Sequence, residues 1–281
     1  MYKIGFAAHP AVKNEALKLS DKLTSMEHSN QVIELVHDHD ISDIEFYFNV
    51  LKNGIAEIVC LNLPAIESGL PEDIVIAALS ERSDCFEKLV YTPQAGNDNP
   101  HIKLGSDARV AVFNKRAEAI AHELFPDWTL EVLEIQDLNK KLFENFDGVI
   151  ASCERLDESD IDATAYSTFK FHPKEFIPHP GQNVIAFLCK NDDKELRKIM
   201  AKIHVTEVSQ ATNIERTIDQ GLSEKGWSGI GVYCLVDHNY HYHVYASGIS
   251  SENNLFKRAR YSTATSENIA KNVFELLSTI D

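Results

Sequence analysis

Apolar residues recur along this chain at two spacings, and their alternation predicts an α/β fold. Tyr2 to Phe6 reads as a short strand, after which Val12, Ala16, Leu19, Leu23 and Met26 recur at helical spacing with lysines and acids between them. Gln31 to Val36 is a second strand, Ile41 to Asn53 a helix stopped by Gly54, Ala56 to Leu61 a third strand and Asp73 to Leu79 a fourth. Strands and helices alternating in this way favour a parallel sheet with flanking helices.

Tyr91 to Pro100, YTPQAGNDNP, has the composition of a linker, and a second α/β unit is expected beyond it. Arg109 to Phe113 reads as a strand and Asn114 as an N-cap, with Ala117, Ile120, Ala121 and Leu124 on the buried face of the helix that follows. Trp128 to Leu133 and Asp147 to Ala151 supply further strands with a helix at Leu138 to Asn145 between them, and Asp157 to Lys174 is polar and irregular. In Phe176 to Lys190, FIPHPGQNVIAFLCK, Pro178 and Pro180 fix an extended approach, Gly181 permits a turn, and Val184 to Cys189 form an apolar run of buried-strand length. So late a strand is expected to be a crossover that returns to the first sheet.

The last third changes character. Asp193 to Ile203 and Thr206 to Leu222 read as helices, the second with Ile214 and Ile218 four apart. Ile230 to Val236, His241 to Ser247 and Leu255 to Ser262 read as antiparallel strands. Ile269, Val273, Leu276, Leu277 and Ile280 mark a closing helix capped near Thr265 or Ser266, so a small α+β domain is expected here.

Composition narrows the classes of function. With 27 basic against 43 acidic residues the net charge is −16, which disfavours nucleic acid, anionic lipid and polyanionic ligands, and no basic patch stands out. No stretch approaches the roughly 20 apolar residues of a membrane span, and the start MYKIGFAAHP lacks the apolar core of a signal peptide, so a cytoplasmic protein is expected. Cys60, Cys85, Cys153, Cys189 and Cys234 are far apart and form no CxxC pair, which suggests buried reduced thiols without zinc or disulfides.

Several separate stretches fall in the order of one family. PHPGQNVIAFLCK resembles the Pro-x-x-Gly-Gln-Gly segment, with its following apolar run, of hydroxymethylbilane synthase, also called porphobilinogen deaminase, and Glu215-Arg216 sits where that family has its Glu-Arg. NGIAEIVCLNLPAIESGLPEDIVIAALSERSD is similar, without a gap, to the family's stretch ending in Glu-Arg-x-Asp. ARVAVFNKRAEAI resembles the Gly-Thr-Ser-Ser-Leu-Arg-Arg region, FDGVIASCERL the Tyr-Asp-ala-ile-ile-leu-ala region, and IGVYCLVDHNYHYHVYASGI the C-terminal domain. Their collinear order covers almost the whole chain.

The resemblance implies two periplasmic-binding-protein-like lobes of type 2 and a small C-terminal α+β domain. Lobe one would span 1–92 with a returning strand and helix at 176–203, lobe two 93–175, and the C-terminal domain 204–281. In the family, a cysteine of the third domain carries a covalent dipyrromethane, a cleft aspartate assists the stepwise joining of four porphobilinogens with loss of ammonia, and arginines hold the substrate carboxylates. Each part answers a need: a thiol for the primer, an acid beside the deaminating carbon, bidentate cations for carboxylates.

This chain departs from the pattern where that chemistry resides. The family's His-Ser-Leu-Lys-Asp becomes Leu61-Asn62-Leu63-Pro64-Ala65, so a methyl group stands at the aspartate's place. The cysteine-bearing Gly-Gly-Cys-x-x-Pro-x-Gly becomes Glu224 to Gly231, EKGWSGIG, with Gly226 at the cysteine's place, so no dipyrromethane is expected. Gly-Thr-Ser-Ser-Leu-Arg-Arg becomes Ala111 to Ala117, keeping one arginine and losing the hydroxyls that would cradle an anion at the helix start. The Arg-Gly-Asn loop shortens to about Glu134 to Asp137, and Ala7 and His9 take the places of an arginine and a serine. Each lost charged contact costs about 1.5–3 kcal/mol.

What remains as candidate ligands of an inter-lobe cleft is His9, Asn114, Lys115, Arg116, Arg155 and Gln182, with no catalytic residue and no metal ligand. Arg155 reads equally as an anion site or a structural salt bridge, and Glu215-Arg216 as a helix ion pair or a domain brace. His37-Asp38-His39-Asp40 and the pair His241 and His243 have metal-ligand residue types, but a solvated loop and an exposed sheet face are the simpler readings. The resemblance therefore implies a tetrapyrrole-synthesis protein turned pseudoenzyme, or one with strongly altered activity, whose cleft takes a small molecule such as a pyrrole. The alternative is a two-lobed module that binds another small molecule or a protein partner.

Overall fold

The computed structural model describes residues 1–36, 43–66, 69–93 and 102–279. The chain begins with β1 (Tyr2–Ala7), α1 (Pro10–Ser25), β2 (Asn30–Leu35), α2 (Asp43–Lys52), β3 (Ile58–Asn62) and β4 (Ile74–Leu79). It continues with β5 (Glu87–Tyr91), β6 (Arg109–Val112), α3 (Lys115–Leu124), β7 (Thr129–Val132), β8 (Gly148–Ser152), α4 (Cys153–Glu158) and β9 (Ser167–Lys170). The last third holds β10 (Ile185–Lys190), α5 (Lys194–Met200), α6 (Thr206–Glu224), β11 (Ser228–Val236), β12 (Tyr242–Ile249), β13 (Phe256–Thr263) and α7 (Ile269–Thr279).

These elements form two compact units, Met1–Ser83 with Gly181–Gln210, and Asp84–Pro180 with Ala211–Asp281. The first is built on a five-stranded sheet of order β2-β1-β3-β10-β4. β1 pairs parallel with β2 and β3, while β10 lies antiparallel between β3 and β4. One face packs Val12, Ala16, Leu19 and Leu23 of α1, the other Tyr47, Phe48, Val50 and Leu51 of α2. Covered on both faces, β10 must be apolar throughout, which is why Val184 to Cys189 reads as an unbroken run rather than an alternation.

The second unit repeats the plan. Its five-stranded sheet has the order β7-β6-β8-β5-β9, with β6 parallel to β7 and β8, and β5 antiparallel between β8 and β9. A second, antiparallel sheet, β11-β12-β13, packs Val232, Val244 and Ala246 against Ile218 and Leu222 of α6 and Ile269, Val273 and Leu277 of α7. The fold is α/β, with two lobes of the periplasmic-binding-protein-like type 2 plan and a small C-terminal α+β part. No helix among the described residues is long and apolar enough to cross a membrane.

The structure departs from the sequence expectation at short elements. The helix expected at Leu138 to Asn145 is a 3-10 segment, Lys140–Glu144, whose entry Asn139 caps by accepting from the Lys141 amide. The irregular stretch Asp157 to Lys174 contains β9, and Leu276 of the expected closing stripe is partly exposed. β5 precedes residue 92, where the sequence reading ends the first lobe, yet it hydrogen-bonds within the second sheet. The linker residues 94–100 lie outside the described residues.

Candidate functional site

In a sheet of this kind ligands are met at the carboxyl ends of the parallel strands, and in the first unit four chain segments converge there. β1 leads through His9 into α1, β3 into the 3-10 turn Leu63–Ile66, β4 into Ser80, and Gly181 to Val184 lead into β10. His9 is the N-cap residue of α1, in extended conformation (φ −141°), but its side chain makes no capping bond to the helix. Ala65 is exposed on the 3-10 turn. Asn62 precedes that turn and is half-buried.

The crossover turn is tied to its neighbours on both sides. The Leu63 amide donates to the Val184 carbonyl at 2.8 Å, and the Ser83 amide to the Asn183 carbonyl at 3.0 Å. Gly181 has φ +71°, and a Cβ there would lie 3.1 Å from Leu63 Cδ2, so both backbone and packing require glycine. Asn183, where the resemblance has a second glycine, keeps the left-handed backbone at φ +58°, which asparagine tolerates better than other side chains. Half-buried Gln182 is thus held between two left-handed residues, at the same sheet edge as His9 and Ala65.

In the second unit the corresponding edge is where β6 meets α3 and β8 meets α4. Asn114 caps α3 as expected, its Oδ1 accepting from the Ala117 amide at 2.8 Å, and Lys115 is exposed. Arg116 turns inward. Its Nη1 donates to the Ile177 carbonyl at 2.6 Å and its Nη2 pairs with Glu87 Oε1 at 2.5 Å, with both side chains about 5–6% exposed. The guanidinium carbon also lies 5.9 Å from the centre of the Phe176 ring. Arg155 is on the surface instead, with 3.4 Å to Glu158 one helical turn on, a geometry that stabilises little.

The glycines of β11 close over the start of α3. A Cβ at Gly229 would lie 3.2 Å from the Lys115 carbonyl oxygen, and one at Gly231 only 2.7 Å from that of Ile177 and 3.3 Å from Arg116 Cδ. The Val232 amide donates to the Pro178 carbonyl at 3.1 Å. Arg116 is therefore enclosed by β5, β11 and the chain around Ile177, and both of its terminal nitrogens are committed. Sequence reasoning missed Glu87; its only signal was an acid opening the apolar run EKLVY.

Gly226 ends α6. Its amide donates to Ser223 O at 2.9 Å and the Trp227 amide to Leu222 O at 3.1 Å, a Schellman motif that needs the left-handed φ of +76° found there. Gly226→Cys is expected to cost about 1–2 kcal/mol for placing a side chain in that conformation, seen as a lower midpoint in chemical denaturation. Nearby, Glu215 is fully buried and its Oε1 accepts from the Cys234 amide at 2.7 Å, bracing α6 to β11. All five cysteines are buried and unbridged. Burial raises the thiol of Cys153 and that of Cys60, and pushes Cys189 up to about 11, so these are poor nucleophiles.

Among the described residues no group of three His, Cys, Asp or Glu side chains could hold a metal ion. His37-Asp38-His39-Asp40 lies outside the described residues. His241 and His243 do not form a free pair on a strand face, because Asp237 lies 3.9 Å from the first and 3.2 Å from the second.

The chain is similar in sequence to proteins of one known family. Residues 44–198, more than half of the chain, match the family described as porphobilinogen deaminase, dipyromethane cofactor binding domain. The porphobilinogen deaminase of Staphylococcus carnosus is 25% identical over 191 residues, 63% of this chain and 57% of that protein. The probable porphobilinogen deaminase of Methanocaldococcus jannaschii is 24% identical over 80% of this chain and 76% of its own length. With the first of these relatives and that of Limosilactobacillus reuteri, the match spans little more than half of the relative, 57% and 54%. Among solved structures, a YaeC-family lipoprotein of Enterococcus faecalis is 12% identical over 77% of this chain and 95% of that one, with a TM-score of 0.46. The chain belongs to the porphobilinogen deaminase family.

Proposed function

We propose that this chain is a cytoplasmic member of the family, connected with tetrapyrrole synthesis, that has kept the scaffold and lost the standard condensation of porphobilinogen. The observation that carries the reading is the buried pair of Arg116 and Glu87. The one arginine left in the anion-binding motif is a structural brace whose charge is already neutralised, so it has no bidentate face to offer a pyrrole carboxylate. Two further positions point the same way. Ala65 offers a methyl group where an acid is needed, and Gly226 offers no thiol. Cys234, the cysteine nearest in sequence, is buried in β11. The residues present do not fit a covalently attached dipyrromethane.

A second reading is a binding module for a less anionic small molecule or a protein partner. The exposed acids Glu134 and Asp137, beside the 3-10 segment Ile135–Asp137, favour it, because they stand where the resemblance has a cation. On either reading, His9, Gln182, Asn114 and Lys115 are the side chains at the strand ends of their own units with which a ligand would be sought.

Incubation of the purified protein with porphobilinogen tests the first reading. Loss of the general acid alone is expected to lower turnover about 10²–10⁴-fold below that of a family enzyme with the full motif. Formation of hydroxymethylbilane at an ordinary family rate would refute it. Calorimetric titration with porphobilinogen and with uncharged ligands then separates the two readings: binding of the pyrrole, through contacts other than Arg116, favours the first, and binding of an uncharged ligand alone favours the second.

A further inference from the structure

The free half of the C-terminal sheet carries a hydrogen-bonded string that the family reading does not use. His243 on β12 stands directly across from Ser262 on β13, and its Nδ1 lies 2.9 Å from the Ser262 Oγ. Its other nitrogen, Nε2, lies 3.2 Å from Asp237 Oδ2. These partners assign the tautomer: Nε2–H donates to the carboxylate, which leaves Nδ1 as the acceptor of the serine proton. Asp237 is itself fixed, its Oδ1 accepting from the amides of Asn239 at 2.8 Å and His241 at 2.9 Å in the β11–β12 turn. Chiefly the His241 amide, together with the His243 ring and the Asn239 amide, holds its carboxyl down at about 2.

The surroundings suit chemistry at the serine. Register places Leu235, His243 and Ser262 in one row across the three strands and Tyr233, Tyr245 and Arg260 in the next row on the same face. Ser262 and Arg260 are exposed. The Arg260 guanidinium lies 5.5 Å from the centre of the Tyr245 ring, and no ion pair holds it among the described residues. A nucleophile bonded to a base, a base oriented by a carboxylate, and a cation one row away make up the parts of acyl transfer.

We propose that Ser262 is a nucleophile activated by His243, with Asp237 as the positioning residue, and that this sheet face hydrolyses small carboxylic esters. The Ser262 Oγ adds to the ester carbonyl carbon as its proton passes to His243 Nδ1, and Arg260 is the cation available to the oxyanion that develops. The C–O bond to the alcohol then breaks, and the leaving oxygen takes the proton from Nδ1, which leaves an acyl-Ser262. Water, deprotonated by the same nitrogen, adds to the acyl carbon. The carboxylic acid departs, and Ser262 recovers its proton.

The test uses the full chain with p-nitrophenyl acetate. The expected result is a burst of about one equivalent of p-nitrophenol with an acetyl group mapped to Ser262, by accumulation of the acyl intermediate. Ser262→Ala and His243→Gln are each expected to abolish the burst and lower the rate about 10²-fold or more, the range of a lost general base. Asp237→Asn should slow acylation and alter its pH profile while the acetyl group remains on Ser262. Circular dichroism matched to wild type confines these effects to the site. Acetylation of lysines only, or equal rates in wild type and Ser262→Ala, would overturn the proposal and leave the string as a strand-to-strand brace.

Discussion

Arg116→Met is expected to lower the stability of the second unit by about 3–5 kcal/mol, the cost of stranding one partner of a buried ion pair. The substitution leaves the Glu87 carboxylate enclosed without a counter-charge and the Ile177 carbonyl without its donor. Both tryptophans, Trp128 and Trp227, lie in that unit, so their fluorescence during urea unfolding reports on it alone. The pair also has a sharper signature. Because a buried pair replaced by apolar side chains is often neutral or stabilising, Arg116→Met combined with Glu87→Leu should recover most of the loss. An Arg116 used for binding rather than bracing would instead tolerate the single change, with little movement of the unfolding midpoint.

Gly231→Val carries the second large effect. A Cβ at this position would sit 2.7 Å from the Ile177 carbonyl oxygen, a backbone atom that cannot rotate away, and 3.3 Å from Arg116 Cδ. The strand must lift, and with it the Val232 to Pro178 hydrogen bond at 3.1 Å. A loss at the upper end of the roughly 1–3 kcal/mol for overpacking is expected, accompanied by increased hydrogen exchange at the Val232 amide. Unchanged protection there would show that β11 does not depend on close approach to the enclosed Arg116.

Much of this architecture is legible in the residues, for local reasons. The stripe of Val12, Ala16, Leu19 and Leu23 marks α1, Gly54 with φ +66° stops the chain after α2, Asn114 caps α3, and Gly181 precedes the return of β10 to the first sheet. What escapes has its cause elsewhere in the chain. β5 follows ERSDCF with no glycine or proline to announce it, and it becomes a central strand only because β8 and β9, far along the sequence, pair with it. β9 is a polar four-residue edge strand in a polar stretch. Glu87 is buried by virtue of an arginine 29 positions later. The residues alone read Arg116 as a candidate ligand, and only the positions of Glu87, Ile177 and Gly231 make it a brace. The Asp237, His243 and Ser262 string likewise depends on strand register, which hydrophobic alternation leaves open along the exposed face.

The proposed loss of cofactor chemistry is most directly tested by the intact mass of the protein purified from its own cells. The mass of the unmodified polypeptide is predicted, and it should be unchanged after incubation with porphobilinogen. An added dipyrromethane, on any of the five cysteines, would contradict the account.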